Sequence, residues 1–143
     1  MILYLGTSAL VKLYVDEPGR PAVVTALDRA VAVATVRVAY AEARAPFARK
    51  RREGGLDGKD LRRVVERLDG DWATYSIVEV IEPLVRRAGI LAEHHGLRGY
   101  DAVHLAAAFE TGRAGGEVSF ACFDERLRRA ARRERLRAPL LAS

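Results

Sequence analysis

Apolar residues along this chain fall into short unbroken runs that alternate with longer stretches spaced for helices. Residues 2–5, 31–36, 77–81 and 118–123 are bulky, apolar and too short for helices, so they read as interior strands. After the first run, Gly6 offers turn freedom, Thr7 or Ser8 can cap a helix, and Ala9, Leu10, Leu13 and Tyr14 carry its apolar positions. Residues 37–52 read as a helix that Pro46 should kink and that Gly54 and Gly55 close. A second, polar helix follows over residues 57–72. Pro83 can open a helix ending near Gly96, and residues 100–111 form another, stopped by Gly112. Within that last helix, residues 102–109 are apolar nearly all round and must lie deep in the fold. Strands alternating with helices predict an α/β fold, a parallel sheet with helices on both faces.

A length of 143 residues suits one domain, and no repeat, low-complexity segment or linker interrupts it. Half of the residues are hydrophobic, enough for a real core, which excludes a disordered chain. The net charge of +5 is unevenly placed: seven arginines stand against three acids over residues 124–137. Such a stripe suits an anionic partner and equally suits a solvated helix face, and charge alone leaves both open. Cys122 is the single cysteine, so disulfide frameworks and thiolate metal sites are excluded, and it reads as a small buried strand residue. Lys12 interrupts the first hydrophobic segment, and no uncharged stretch approaches the roughly 20 residues a membrane helix needs. The expectation is a soluble, cytoplasmic protein.

In an open α/β sheet, ligands gather outside the carboxyl ends of strands, which is where Gly6, Thr7, Ser8 and Asp124 fall. Three acids, Glu42, Asp101 and Asp124, are set among apolar or small neighbours rather than in the charged, exposed majority. A carboxylate in such surroundings needs a partner or a cation. Each has a plainer explanation: Asp101 and Asp124 can serve as helix N-caps, and Glu42 can pair with Arg37 or another arginine. Taken together at strand ends and beside one helix, the three point to a metal site. Carboxylate oxygens suit Mg²⁺ or Mn²⁺, which keep several waters and bridge to phosphate oxygens. Gly6, Thr7 and Ser8 also allow a different chemistry, a phosphate held by backbone N–H groups and hydroxyls at a helix N-terminus. No lysine follows in the P-loop position and GxGxxG is absent, so a nucleotide site is poorly supported. A third possibility is a groove formed by Leu10, Leu13 and Tyr14 for a partner helix.

Other polar residues read as structural. His94 and His95 end a helix before Gly96, where the helix dipole favours imidazolium. His104 lies one turn after Asp101 on the same face and reads as a hydrogen-bonded core histidine within reach of the site. Trp72 and Tyr75 are packing residues near a helix end, and Asp16 and Glu17 belong to a loop before Pro18 and Gly19.

Four blocks, MILYLGTSALVKLY at the start, VAYAEARAPFAR around Glu42, GLRGYDAVHLAAA around Asp101 and FACFDERLRRAA around Asp124, resemble the PIN-domain ribonucleases, most closely the VapC-type toxins of toxin–antitoxin pairs. The blocks occur in the family's order and approximate spacing and span essentially the whole chain. The resemblance implies a three-layer α/β/α sandwich, often a homodimer, that cleaves RNA with Mg²⁺ or Mn²⁺ held by an acidic cluster. It also implies a small antitoxin partner whose tail fills the active site. On these positions, Glu42, Asp101 and Asp124 match three of the family's acids, and Thr7 and Ser8 match the hydroxyls after its first aspartate.

That first aspartate is absent. The family pattern Asp-Thr-Ser-Ala is here Gly6-Thr7-Ser8-Ala9, and Gly6 has no side chain to ligate metal or position a water. The expectation is a weak or inactive nuclease with an intact fold, arising from a deliberate substitution or from natural decay. The alternative is a catalytically dead module that binds RNA, phosphate or an antitoxin.

Overall fold

The computed structural model describes all 143 residues. In chain order they form β1 (Ile2–Leu5), α1 (Thr7–Tyr14), α2 (Arg20–Asp28), β2 (Ala32–Val36), α3 (Ala39–Arg52), α4 (Gly58–Trp72), β3 (Ser76–Val78), α5 (Glu82–His95), α6 (Gly99–Gly112), β4 (Val118–Ala121) and α7 (Glu125–Arg133). The sheet is wholly parallel in the order β3-β2-β1-β4, with Ile2 opposite Ala32 on one side and Val118 on the other. One helical layer contains α1 to α4 and the other the α5–α6 pair, with α6 lying on β2, β3 and β4 and α7 packed against α6. This is the α/β/α arrangement the sequence implied.

Each strand run is trimmed by its neighbours. β3 is an edge strand whose register partners are Ala34, Thr35 and Val36, so it ends at Val78, and the chain beyond turns into α5 instead of continuing to Ile81. β4 stops at Ala121 because the next residues peel away: the Phe123 N–H donates to Ser8 Oγ at 2.9 Å and Asp124 caps α7. Cys122 is buried just past the strand, not within it. Helix α3 runs through Pro46 as one element, although the proline withholds the N–H that the Glu42 carbonyl would otherwise accept. It ends at the left-handed Gly54 (φ 83°), with the Gly55 N–H returning to the Lys50 carbonyl at 2.8 Å. Helix α4 opens with a reciprocal capping box between Asp57 and Asp60. The sequence pattern did not delineate α2. Of its nine residues only Val23 is buried, so its apolar periodicity is weak, and the left-handed Gly19 (φ 96°) with Pro21 in its first turn starts it.

The core is continuous across the sheet. Tyr4 stacks on Phe120 of β4 with ring centroids 5.2 Å apart, and Tyr14 meets Phe47 of α3 edge-on at 6.3 Å. Leu10, Leu13 and Tyr14 are buried in this core, which corrects the expectation that they form an open groove for a partner helix. Helix α1 has no free apolar face because α2, α3 and α4 cover it. Trp72 and Tyr75 pack against each other and against Tyr40 and Tyr14, as expected.

Phe47 is fully buried and joins α3 to α1. Phe47→Ala is expected to lower unfolding free energy by about 3–5 kcal/mol in denaturant titration, whereas Ile90→Ala, at a position 68% exposed, should cost well under about 1 kcal/mol.

Candidate functional site

Strand order reverses between β1 and β4, the place where an open α/β sheet forms its ligand crevice, and Gly6 and residues 122–124 stand at the carboxyl ends of these two strands. Gly6 is itself the N-cap of α1, with φ −66° and ψ 160°, a backbone that any L residue adopts. Turn freedom is therefore not why glycine fits. Close approach is the feature it permits: its N–H donates to the Ala121 carbonyl at 2.9 Å, and a Cβ would lie 3.2 Å from both the Ala121 oxygen and Cys122 Cβ. Neither Thr7 nor Ser8 caps the helix with its side chain. Thr7 Oγ1 instead donates to Glu42 Oε1 at 2.9 Å, and Ser8 Oγ accepts from the Phe123 backbone.

Glu42 sits in the first turn of α3, half-buried, and its main partner is the buried His104 of α6, whose Nε2 lies 2.8 Å from Glu42 Oε1 and 3.0 Å from Thr7 Oγ1. A carboxylate only accepts hydrogen bonds, so the Nε2 hydrogen points at Glu42. His104 Nδ1 lies 2.9 Å from the fully buried Tyr4 hydroxyl, which donates to it in the neutral ring. Burial pushes the Glu42 carboxyl up, but His104 and Thr7 together more than offset that and hold it below the usual glutamate range. Burial also raises the Tyr4 phenol well above its ordinary value, so it stays protonated. Arg37 is not the partner of Glu42; it pairs with Glu79 at the end of β3. His104 is thus both a hydrogen-bonded core histidine and part of the site wall.

The other two acids share one cation. Asp101 is the third residue of α6 and not its N-cap, which is Arg98 with no side-chain capping bond. Arg98 Nε donates to Asp101 Oδ2 at 3.0 Å while its Nη2 lies 3.7 Å from Asp124 Oδ2. Asp124 does cap α7, through Oδ1 and the Leu127 N–H at 2.9 Å, which leaves Oδ2 facing Arg98. The Arg98 side chain is 79% exposed, so it can leave the carboxylates without disturbing the core. The oxygens of Glu42, Asp101 and Asp124 are not drawn within 4.8 Å of one another. Magnesium binds through one or two carboxylates and keeps its waters, so the Asp101–Asp124 pair, with a cation already between its members, fits a hard divalent ion. The thiol of Cys122 is pushed up to about 12, chiefly by burial, and is no competing ligand.

Sequence reasoning did not single out Tyr4 or Arg98. The only signal for Tyr4 was a phenol inside an otherwise aliphatic strand, and for Arg98 a cation three residues before Asp101.

The depressed Glu42 carboxyl has a definite linkage sign. Its stabilising contribution is present above the unfolded glutamate value of about 4.3 and is lost as pH falls through the lower folded value. Glu42→Gln is expected to flatten the acid limb of the stability–pH curve, read by thermal melts between about pH 6 and pH 3. An identical acid limb in both proteins would show that Glu42 gains nothing from His104 and Thr7.

Residues 3–133 match the PIN domain family. The chain is 36% identical over 126 residues to Ribonuclease VapC45 of Mycobacterium tuberculosis (strain CDC 1551 / Oshkosh) and equally to Ribonuclease VapC49 of Mycobacterium tuberculosis (strain ATCC 25618 / H37Rv), covering 88% of this chain and 86% of each relative. Among solved structures it resembles the FitAcB crystal structure from Neisseria gonorrhoeae, with a TM-score of 0.70 and 23% identity over 96% of both chains. It also resembles VapBC2 from Rickettsia felis bound to a promoter DNA fragment, with a TM-score of 0.66 and 16% identity over 99% of both chains. The acidic crevice described above therefore lies in a protein that belongs to the PIN-domain family, in its VapC-type branch.

Proposed function

We propose that this chain is a metal-dependent endoribonuclease toxin of a VapBC-type pair, acting as a single domain over residues 1–143, and that Gly6 weakens or abolishes its activity. One observation carries the reading: at the β1–β4 switch point, Asp101 and Asp124 share the Arg98 guanidinium, while the Glu42 carboxylate is held by Thr7 at the start of α1 and by His104, one turn after Asp101 on α6. Relatives named as VapC ribonucleases support the same activity.

Asp101, Asp124 and Glu42 would hold Mg²⁺ or Mn²⁺, with Gly6 as the position of the lost ligand. The chemistry an ion would supply there is orientation of a phosphodiester, activation of a water and stabilisation of the leaving oxygen. Glu42, fixed by two donors, keeps its charged form and can accept a proton from a water or orient it. Arg98 can turn from the carboxylates to a phosphate oxygen. Thr7 and Ser8 support the site from within, Thr7 by holding Glu42 and Ser8 by holding the backbone just before Asp124. Gly6 removes one full negative charge from this cluster, so cation affinity falls.

The proposed partners are RNA, a cognate antitoxin protein and a second copy of the chain. Solved toxin–antitoxin complexes with this fold support the antitoxin. Exposed Ile81 at the N-cap of α5, Val85 and Ile90 within α5 and Tyr100 on α6 offer apolar surface for the homodimer. No helix is long and apolar enough to cross a membrane, and a cytoplasmic location is proposed with the RNA target. The second reading, a dead module binding RNA, phosphate or an antitoxin, is favoured by Gly6 alone.

RNA cleavage in Mg²⁺ or Mn²⁺ by the chain and by Gly6→Asp is the direct comparison, with Asp101→Asn in the variant background as the blank. The variant is expected to cut, the parent to cut weakly or not at all, and the blank to be silent. The new Cβ requires the Ala121 carbonyl or Cys122 to yield by a few tenths of an ångström, so melts without metal should accompany the assay. Silence of both proteins on a broad RNA panel would move the binding-module reading ahead. Arg98→Ala should bind Mn²⁺ several-fold more tightly in thermal-shift titrations, because a competing cation has gone. Unchanged affinity would mean that the guanidinium does not contest the ion's place.

A further inference from the structure

Away from the acidic crevice, two helix C-termini meet. Helix α5 ends on His94 and His95 before the left-handed Gly96, and α7 ends at its C-cap Glu134. The donor atoms of these three side chains all lie within 4.8 Å of one another, the only such histidine–acid group in the chain. His95 is nearly buried, its side chain 3% exposed, with Nε2 2.8 Å from Glu134 Oε1. The exposed His94 ring stands 4.6 Å from the His95 ring, centroid to centroid. Arg126 already latches the same two helices by donating to the Gly96 carbonyl at 3.3 Å.

We propose that His94, His95 and Glu134 form a binding site for a borderline divalent transition metal of the zinc class, separate from the oxygen-only cluster, pinning the end of α7 to the end of α5. Two imidazoles and a carboxylate suit zinc, nickel or cobalt, whereas Mg²⁺ and Mn²⁺ prefer oxygen alone. The carbonyl ends of both helices present partial negative charge at the site. Arg132 and Arg133 in the last turn of α7 oppose a cation, so binding depends on direct ligation by Glu134.

The ion takes the place of the hydrogen now shared between His95 Nε2 and Glu134 Oε1. In a neutral ring that proton moves to Nδ1, and from an imidazolium it is released to solvent, leaving the Nε2 lone pair for the metal. With bonds of about 2.0–2.1 Å, Nε2 and Oε1 separate from 2.8 Å to roughly 3.3 Å, a small movement for a half-exposed glutamate. Water completes the fourth position on the side of exposed His94.

The test is calorimetric Zn²⁺ titration and visible Co²⁺ spectra of the full chain, purified without a polyhistidine tag, alongside His94→Ala, Glu134→Gln and Asp101→Asn. One Zn²⁺ per chain is expected, weakened at least tenfold by His94→Ala and by Glu134→Gln and unaltered by Asp101→Asn. Tetrahedral Co²⁺ bands should appear in the parent and vanish in His94→Ala. His94 is exposed, so equal metal-free melting of His94→Ala and the parent certifies that the variant folds. No Zn²⁺ binding, equal affinity in parent and His94→Ala, or loss with Asp101→Asn instead would overturn the site.

Discussion

A carboxylate half inside an apolar interior has to be met by hydrogen-bond donors, or the helix that carries it cannot pack. Glu42 is met from two directions, by Thr7 at the start of α1 and by His104 in the middle of α6. His104 is anchored in turn by the Tyr4 hydroxyl, and the Tyr4 ring stacks on Phe120. One charge thus fixes the relative positions of β1, α1, α3, α6 and, through the stacked ring, β4. A network of this kind in a low-dielectric interior is cooperative, and an unpaired member costs about 1–3 kcal/mol. The acidic crevice inherits its rigidity from it: Asp101 lies one turn before His104 on the same helix, and Asp124 follows the strand on which Tyr4 stacks.

Much of this was legible in the chain itself, for identifiable reasons. The strand runs and the helices closed by Gly54 and Gly96 follow from local periodicity and local stop signals, which do not depend on what the segment packs against, whereas Gly112 is the last residue inside α6 and Arg113 takes the C-cap. The acids at the crevice were legible because apolar neighbours made them conspicuous. What eluded the sequence was decided at long range. Arg37 and Arg98 look alike as potential partners for Glu42, and only the fold sends one to Glu79 and the other to Asp101 and Asp124. Asp101 and Asp124 both have the chemistry of a cap, yet one lies two residues inside its helix while the other takes the cap position. Helix α2 was indistinct because a surface helix with one buried residue writes almost no pattern into the sequence. Leu10, Leu13 and Tyr14 show the opposite limit: periodicity identified an apolar face but not whether the face was free or covered.

Charge is balanced locally rather than across the molecule. The arginines of α7 are partly neutralised at once, with Arg128 and Arg129 both on Glu125, whose carboxyl they hold down at about 2. Arg98 likewise stands between the two crevice acids as their shared counter-charge. At Gly6 the balance differs in kind. There no side chain brings charge, and the ends of β1 and β4 approach so closely that a Cβ would lie 3.2 Å from both the Ala121 oxygen and Cys122 Cβ.

The position of β1 in the sheet has a temporal consequence. It is made before the other three strands, yet its second neighbour is β4, and Ile2 waits for Val118 as its register partner. Until that pairing forms, the edge of β1 is open, Tyr4 has no ring to stack on, and the crevice lacks Asp124. Such distant pairing is slow to nucleate, because a long loop must close before any contact repays it. A nascent or prematurely terminated chain therefore carries Glu42 and Asp101 without an assembled site. The order of synthesis therefore works as a delay, in which the crevice cannot assemble before β4 has been made.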